Sequence, residues 1–184
     1  AESLETFAQD LQLVNPTRFF SVPRLWTKFQ MGILEKLPQK KLNLLLSIPI
    51  VAGLVKKKIR KGLGLDNSNM FISGAAPLAV SVMEWFARLD IHIQEGYGMS
   101  ENLAYGSVNR SEDNRFGTVG QPLADCEIKI SDIGEILIKS PATMQGYYLD
   151  DAKTKEVLKD GFYHTGDKGE LCEDGFLKIT GRIK

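Results

Sequence analysis

The hydrophobic period of this chain changes once, near residue 108, and that change limits the folds open to it. Before it, apolar residues recur at helical spacing between short apolar runs; after it, short segments alternate apolar and polar at period two. Leu4, Phe7, Ala8 and Leu11 fall at i, i+3, i+4 and i+7, which predicts a helix over 3–13 ending before Asn15-Pro16. A strand is expected over Arg18 to Val22, and Pro23 fits the first turn of a helix carrying Leu25, Trp26, Phe29, Ile33 and Leu37. Pro49 and Gly53 are expected to interrupt the next apolar helix. Met70-Phe71-Ile72 reads as a buried strand, Val82, Trp85, Phe86 and Leu89 as one helix face, and Ile91 to Gln94 as a further strand. Strands alternating with helices predict an α/β class.

Beyond 108 the alternating segments are Cys126 to Ile130, Glu135 to Lys139 and Phe176 to Thr180, with Asp174-Gly175 as a tight-turn signal. Their spacing predicts a small β-barrel or curled sheet. The expected organisation is therefore an α/β portion over 1–108 followed by a β-barrel subdomain over 109–184.

Charge and composition exclude several function classes. The 23 basic and 23 acidic residues cancel, which argues against a nucleic-acid binder that neutralises many phosphates. The distribution is uneven: residues 1–65 hold 11 basic and 4 acidic side chains, a net of +7, and residues 66–184 hold 12 and 19, a net of −7. Cys126 and Cys172 lack metal-ligand spacing and suit a reducing, cytoplasmic compartment. Two histidines, His92 and His164, leave no histidine-rich metal site. Neither a signal peptide nor a spanning segment is expected, because the apolar run Leu42 to Val55 is short and contains Asn43, Ser47 and Pro49.

Chemistry concentrates where strands end. Ser73-Gly74-Ala75-Ala76-Pro77 follows a strand and precedes a helix, and its small residues either form a structural loop or let a planar ligand approach the backbone. Gln94 to Glu101 places an aromatic ring, a hydroxyl and a carboxylate around two glycines. Tyr97 could stack a base, Ser100 bond a phosphate and Glu101 hold magnesium; equally, Tyr97 could be a core aromatic and Glu101 a helix-start carboxylate.

Seven ordered motifs carry a resemblance. They are Gly74-Ala75-Ala76-Pro77, Glu95-Gly96-Tyr97-Gly98-Met99-Ser100-Glu101, Gly117-Thr118-Val119-Gly120-Gln121-Pro122, Gly134-Glu135-Ile136, Gln145-Gly146-Tyr147-Tyr148, Tyr163-His164-Thr165-Gly166-Asp167, and Gly175 to Arg182. Together they resemble the adenylate-forming (AMP-binding) superfamily of acyl-CoA synthetases, adenylation domains and luciferases. Val22-Pro23-Arg24-Leu25-Trp26 and the long helical insert before Gly74 look most like the long-chain fatty-acid–CoA ligases. The resemblance implies part of that family's large N-terminal domain. Its phosphate loop ending in Pro-Lys-Gly and its C-terminal lid with the catalytic lysine have no counterpart in these residues.

By that resemblance Gly74, Ala75 and Ala76 would line adenine within the Gly96-Tyr97-Gly98 setting, and Tyr97 would stack on it. Ser100 would meet the α-phosphate, Glu101 the magnesium ion, and Asp167 both ribose hydroxyls. Arg182 would assist at the ribose, Lys184 would be the hinge to the lid, and Trp26 would be either a core aromatic or a gate on the acyl tunnel. Ser100 stands where threonine is commoner, and Lys168 where leucine is frequent. The implied reaction joins a long-chain fatty acid to coenzyme A with ATP, through acyl-AMP and release of pyrophosphate. Further expectations are a membrane contact at Lys56, Lys57, Lys58, Arg60 and Lys61, self-association through exposed faces, and no turnover by these residues alone. Two rivals stay open: a non-catalytic nucleotide-binding module, and an adenylation domain for another carboxylate or an amino acid, which the insert over Lys28 to Leu65 disfavours.

Overall fold

A computed structural model describes residues 6–183, which fall into two compact units divided between Ile93 and Gln94. The first unit runs α1 (Phe7–Val14), β1 (Arg18–Ser21), α2 (Pro23–Lys36), α3 (Gln39–Leu46), α4 (Pro49–Leu63), β2 (Met70–Ser73) and α5 (Val80–Ala87). β1 and β2 pair in parallel with Phe19 opposite Phe71, the helices α2 to α4 forming the crossover between them. Helix α2 faces this pair with Trp26 and Phe29, both buried. Phe19, Phe29, Phe71 and Phe86 surround the Trp26 indole at centroid distances of 5.3 to 6.4 Å, all four edge-on within 20° of perpendicular. The ring quadrupoles favour that arrangement. The core of the unit is thus an aromatic cluster pinned between two strands and two helices.

Both prolines occupy the first helical positions, where the missing N–H has no intrahelical acceptor to lose. Pro49 therefore separates α3 from α4, as expected, but Gly53 does not interrupt α4. A single glycine costs a helix about 1 kcal/mol relative to alanine. That cost is too small to end a helix held at its C-terminus by left-handed Gly64, whose N–H returns to Lys61. The strand expected over Ile91 to Gln94 begins two residues later. Ile91 donates its N–H to Phe86 to close α5, and Asp90 turns through φ +57, so the ladder opens only at Ile93.

The second unit contains β3 (Ile93–Tyr97), whose first residue closes the first unit, then β4 (Ser107–Val108), β5 (Gln121–Pro122), β6 (Glu127–Ile130), β7 (Glu135–Lys139), α6 (Asp151–Val157), β8 (Leu158–Lys159), β9 (Phe162–Leu171) and β10 (Leu177–Arg182). β3, β4 and β5 form an antiparallel ribbon. A second antiparallel sheet has the order β10-β9-β7-β6, with β8 alongside β9. It is a half-barrel, and the class is α/β. Ile136, Ile138 and Leu177 are fully buried beside Ile128, with Tyr97 and Met99 packed on them. Truncating one of these aliphatic side chains to alanine would cost about 2 to 5 kcal/mol. Among the described residues no helix is long and apolar enough to cross a membrane.

Candidate functional site

The motif Gly96-Tyr97-Gly98-Met99-Ser100-Glu101 leaves β3 and enters a single 3-10 turn, Ser100–Asn102. Gly98 is required by space, since a Cβ there would run into the Ala104 backbone. The buried Asn102 locks the turn: its Oδ1 accepts from the Met99 N–H at 2.9 Å and its Nδ2 donates to the Tyr105 carbonyl. Ser100 is thereby held exposed and Glu101 half-buried.

Asp167 lies on β9, 70 positions away, and Tyr97 donates its phenolic proton to Asp167 Oδ2 at 2.7 Å. Arg182 on β10 donates from Nε to Oδ1 at 2.8 Å, with its side chain 72% exposed and that of Asp167 only 17%. β9 and β10 place this pair in register, Arg182 opposite Asp167. Burial, and after it the hydrogen bond to Asp167 and the charge of that carboxylate, pushes the Tyr97 phenol well above its ordinary range, whereas the neighbouring Thr165 hydroxyl acts in the opposite sense. The phenol therefore serves as a donor, and each Asp167 oxygen, having accepted one bond, retains room for a second.

The Asp167 backbone is fixed from β7. Glu135 Oε1 accepts the Gly166 N–H at 2.9 Å, and Glu135 Oε2 pairs with His164 Nδ1 at 3.0 Å. The Thr165 hydroxyl donates to the Ile136 carbonyl and accepts from the Asp167 N–H. These contacts give Gly134-Glu135-Ile136 and Tyr163 to Asp167 one shared purpose: presenting the Asp167 carboxylate. Gly117 to Pro122 has a framework part, with Val119 and Gly120 exchanging backbone bonds with Leu177.

Two tyrosines missed as site residues complete the array. Tyr147 donates to Glu101 Oε1 at 2.9 Å, and the buried Tyr163 phenol neighbours that of Tyr147. Burial raises both phenols above their ordinary range, Tyr163 the further. The only sequence signal was their presence in quoted motifs, since a contact between positions 101 and 147 leaves no local pattern.

Of the other expected residues, Gly74, Ala75, Ala76 and Trp26 belong to the first unit. Gly74 is buried after β2, Ala75 is exposed at φ +67, and Ala76 is exposed. Trp26 lies inside its aromatic cluster, fully buried, with Nε1 unpartnered. Lys184 lies outside the described residues. Among the described residues no three His, Cys, Asp or Glu side chains group as a metal cage. Glu101 as a single carboxylate fits magnesium that arrives on nucleotide phosphates, because that ion uses one or two carboxylates with phosphate and water.

A family model described as AMP-binding enzyme matches residues 1–148 of the 184. The chain belongs to the AMP-binding enzyme family. Among its relatives, a putative fatty-acid–CoA ligase, fadD11, of Mycobacterium tuberculosis is 32% identical over 97% of this chain and 37% of its own length. The long-chain-fatty-acid–CoA ligase ACSBG2 of Gallus gallus is 33% identical over 97% of this chain and 28% of its own. The chain thus spans about a third of these family members. Apo MatB from Rhodopseudomonas palustris superposes with a TM-score of 0.72 at 27% identity, covering 96% of this chain and 33% of that one. O-succinylbenzoate coenzyme A synthetase (MenE) from Bacillus subtilis, solved with AMP, shares the fold at a TM-score of 0.70 and 21% identity, covering 98% and 34%.

Proposed function

We propose that this chain is the nucleotide- and acyl-handling portion of an ATP-dependent long-chain fatty-acid–CoA ligase. The observation that carries the proposal is Asp167, a mostly buried carboxylate whose two oxygens are oriented separately by Tyr97 and Arg182. Two such oxygens suit a vicinal diol, one hydroxyl to each, and the ribose of ATP presents that diol. The Tyr97 ring supplies a face for adenine, Ser100 a hydroxyl for the α-phosphate, and Glu101 a carboxylate for the magnesium ion carried by ATP. That ion would neutralise phosphate charge.

In this reading a fatty carboxylate attacks the α-phosphorus, pyrophosphate leaves, and the coenzyme A thiolate then displaces AMP from the acyl group. The residues here orient the nucleotide, and orientation is a large part of what such a reaction needs. Trp26 is fully buried in its aromatic cluster, which favours its core alternative, and the acyl half of the reading rests on the relatives. The choice of a long-chain fatty acid is supported by fadD11 and ACSBG2. The test is ATP–pyrophosphate exchange by the full-length protein that contains this chain, supplied in turn with palmitate, a short carboxylate, an aromatic carboxylate and amino acids. Exchange that requires palmitate is expected; exchange driven by another class, or none, would overturn the assignment.

A further inference from the structure

The bond from Tyr147 to Glu101 has a companion that points to its purpose. The Met144 N–H donates to the Glu101 backbone carbonyl at 2.7 Å, so one loop grips the same residue through its backbone and through its carboxylate. That loop is itself anchored. The Tyr147 N–H donates to Thr154 Oγ1 at 2.9 Å, Gly146 lies so close to the Thr154 side chain that a Cβ would meet it at 2.9 Å, and the Thr154 hydroxyl donates back to the carbonyl of Asp150, the N-cap residue of α6. The Lys153 ammonium sits 5.1 Å from the Tyr147 ring centroid. Tyr147 is therefore held on several sides while it holds Glu101.

We propose that Tyr147 is a positioning residue that fixes the Glu101 carboxylate for the magnesium ion of ATP. The proposal rests on the reading of Glu101 given above. With Oε1 engaged by the phenol, rotation of the carboxylate is restrained and Oε2 is presented as the ligand oxygen. Glu101 needs such support because it stands on a one-turn segment followed by two left-handed residues, Leu103 and Ala104, rather than on a long helix. Groups that orient a metal ligand matter nearly as much as the ligand, and their removal typically weakens metal affinity by about 10- to 100-fold.

The test is calorimetric titration of the chain with AMP, with ATP in chelator, and with ATP plus magnesium. Tyr147→Phe keeps the ring and its packing and removes only the hydroxyl. It is expected to reduce the magnesium-dependent tightening of ATP by about tenfold. AMP affinity should stay within about twofold, because separate sites act independently. In a Glu101→Gln background the same substitution should change nothing further, the signature of action through Glu101. Full magnesium tightening in Tyr147→Phe, or equal weakening of AMP and magnesium–ATP, would overturn the proposal and leave the nucleotide site standing. Absence of AMP binding by the unsubstituted chain would overturn the nucleotide site and this proposal with it.

Discussion

Asp167 Oδ2 accepts the Tyr97 phenolic proton at 2.7 Å while Oδ1 accepts from Arg182, so one carboxylate joins the loop after β3 to the last strand of the half-barrel. The bond makes Tyr97 both an aromatic face and an orienting donor. The sequence reading had assigned it the first part alone.

Alkaline titration checks that bond. Tyr97 and Tyr163 have folded-state values above the ordinary phenol range, chiefly through burial, with the bond to Asp167 adding to it at Tyr97. A group whose folded value lies above its unfolded value near 10 contributes stability that is complete below about pH 10 and is lost as pH climbs toward the folded value. Absorbance at 295 nm should show part of the phenol signal rising only at the alkaline end, together with unfolding. Tyr97→Phe and Tyr163→Phe should each remove from that late portion; removal from the early portion would contradict the burial seen here.

Glu135 tests whether the Asp167 strand is held from β7. Glu135→Ala removes the acceptor of the Gly166 N–H and the partner of His164. Bonds to a charged group contribute about 1.5 to 3 kcal/mol, so urea unfolding should show a loss of that order. A loss below about 0.5 kcal/mol, the usual range for an inert surface change, would show that the strand holds itself.

How far these contacts could be read in advance depended on their range. β7 was read with its observed bounds because the apolar run Ile136-Leu137-Ile138 is closed at each end by a charge, Glu135 and Lys139, and Ile136 and Ile138 face the core. Pro23 marked the start of α2 because its chemistry acts within one turn. The start of β3 escaped because the closure of α5, Ile91 to Phe86 through left-handed Asp90, took a donor from the ladder, and an apolar residue at 91 reads the same in either setting. Glu101–Tyr147 and Glu135–His164 escaped because 46 and 29 positions separate the partners and nothing local encodes either pairing. The motifs marked the candidate nucleotide residues; the packing shows what holds them.

The basic run of α4 is divided. Lys56 pairs with Asp90 at 2.8 Å, and Arg60 bonds the Leu65 and Ser68 carbonyls and stands over Phe71. Lys57, Lys58 and Lys61 are exposed on the helix that also exposes Ile50 and Leu54. We expect these three to carry any attraction to an anionic bilayer, at about 1 kcal/mol each near the surface. Co-sedimentation with anionic liposomes at low salt should fall when all three become glutamine, and unchanged co-sedimentation would remove the membrane reading.

The central claim is that Asp167 receives the ribose, and AMP titration tests it most directly because AMP needs no metal. Charge-assisted bonds to hydroxyls contribute about 1.5 to 3 kcal/mol, so Asp167→Asn should weaken AMP by about 10- to 100-fold. Glu101→Gln should leave AMP affinity within about twofold, since the two carboxylates act at different parts of the nucleotide. Loss of AMP affinity on Asp167→Asn with retention on Glu101→Gln is the result this account predicts. Equal affinities for the two variants, or the larger loss on Glu101→Gln, would contradict it.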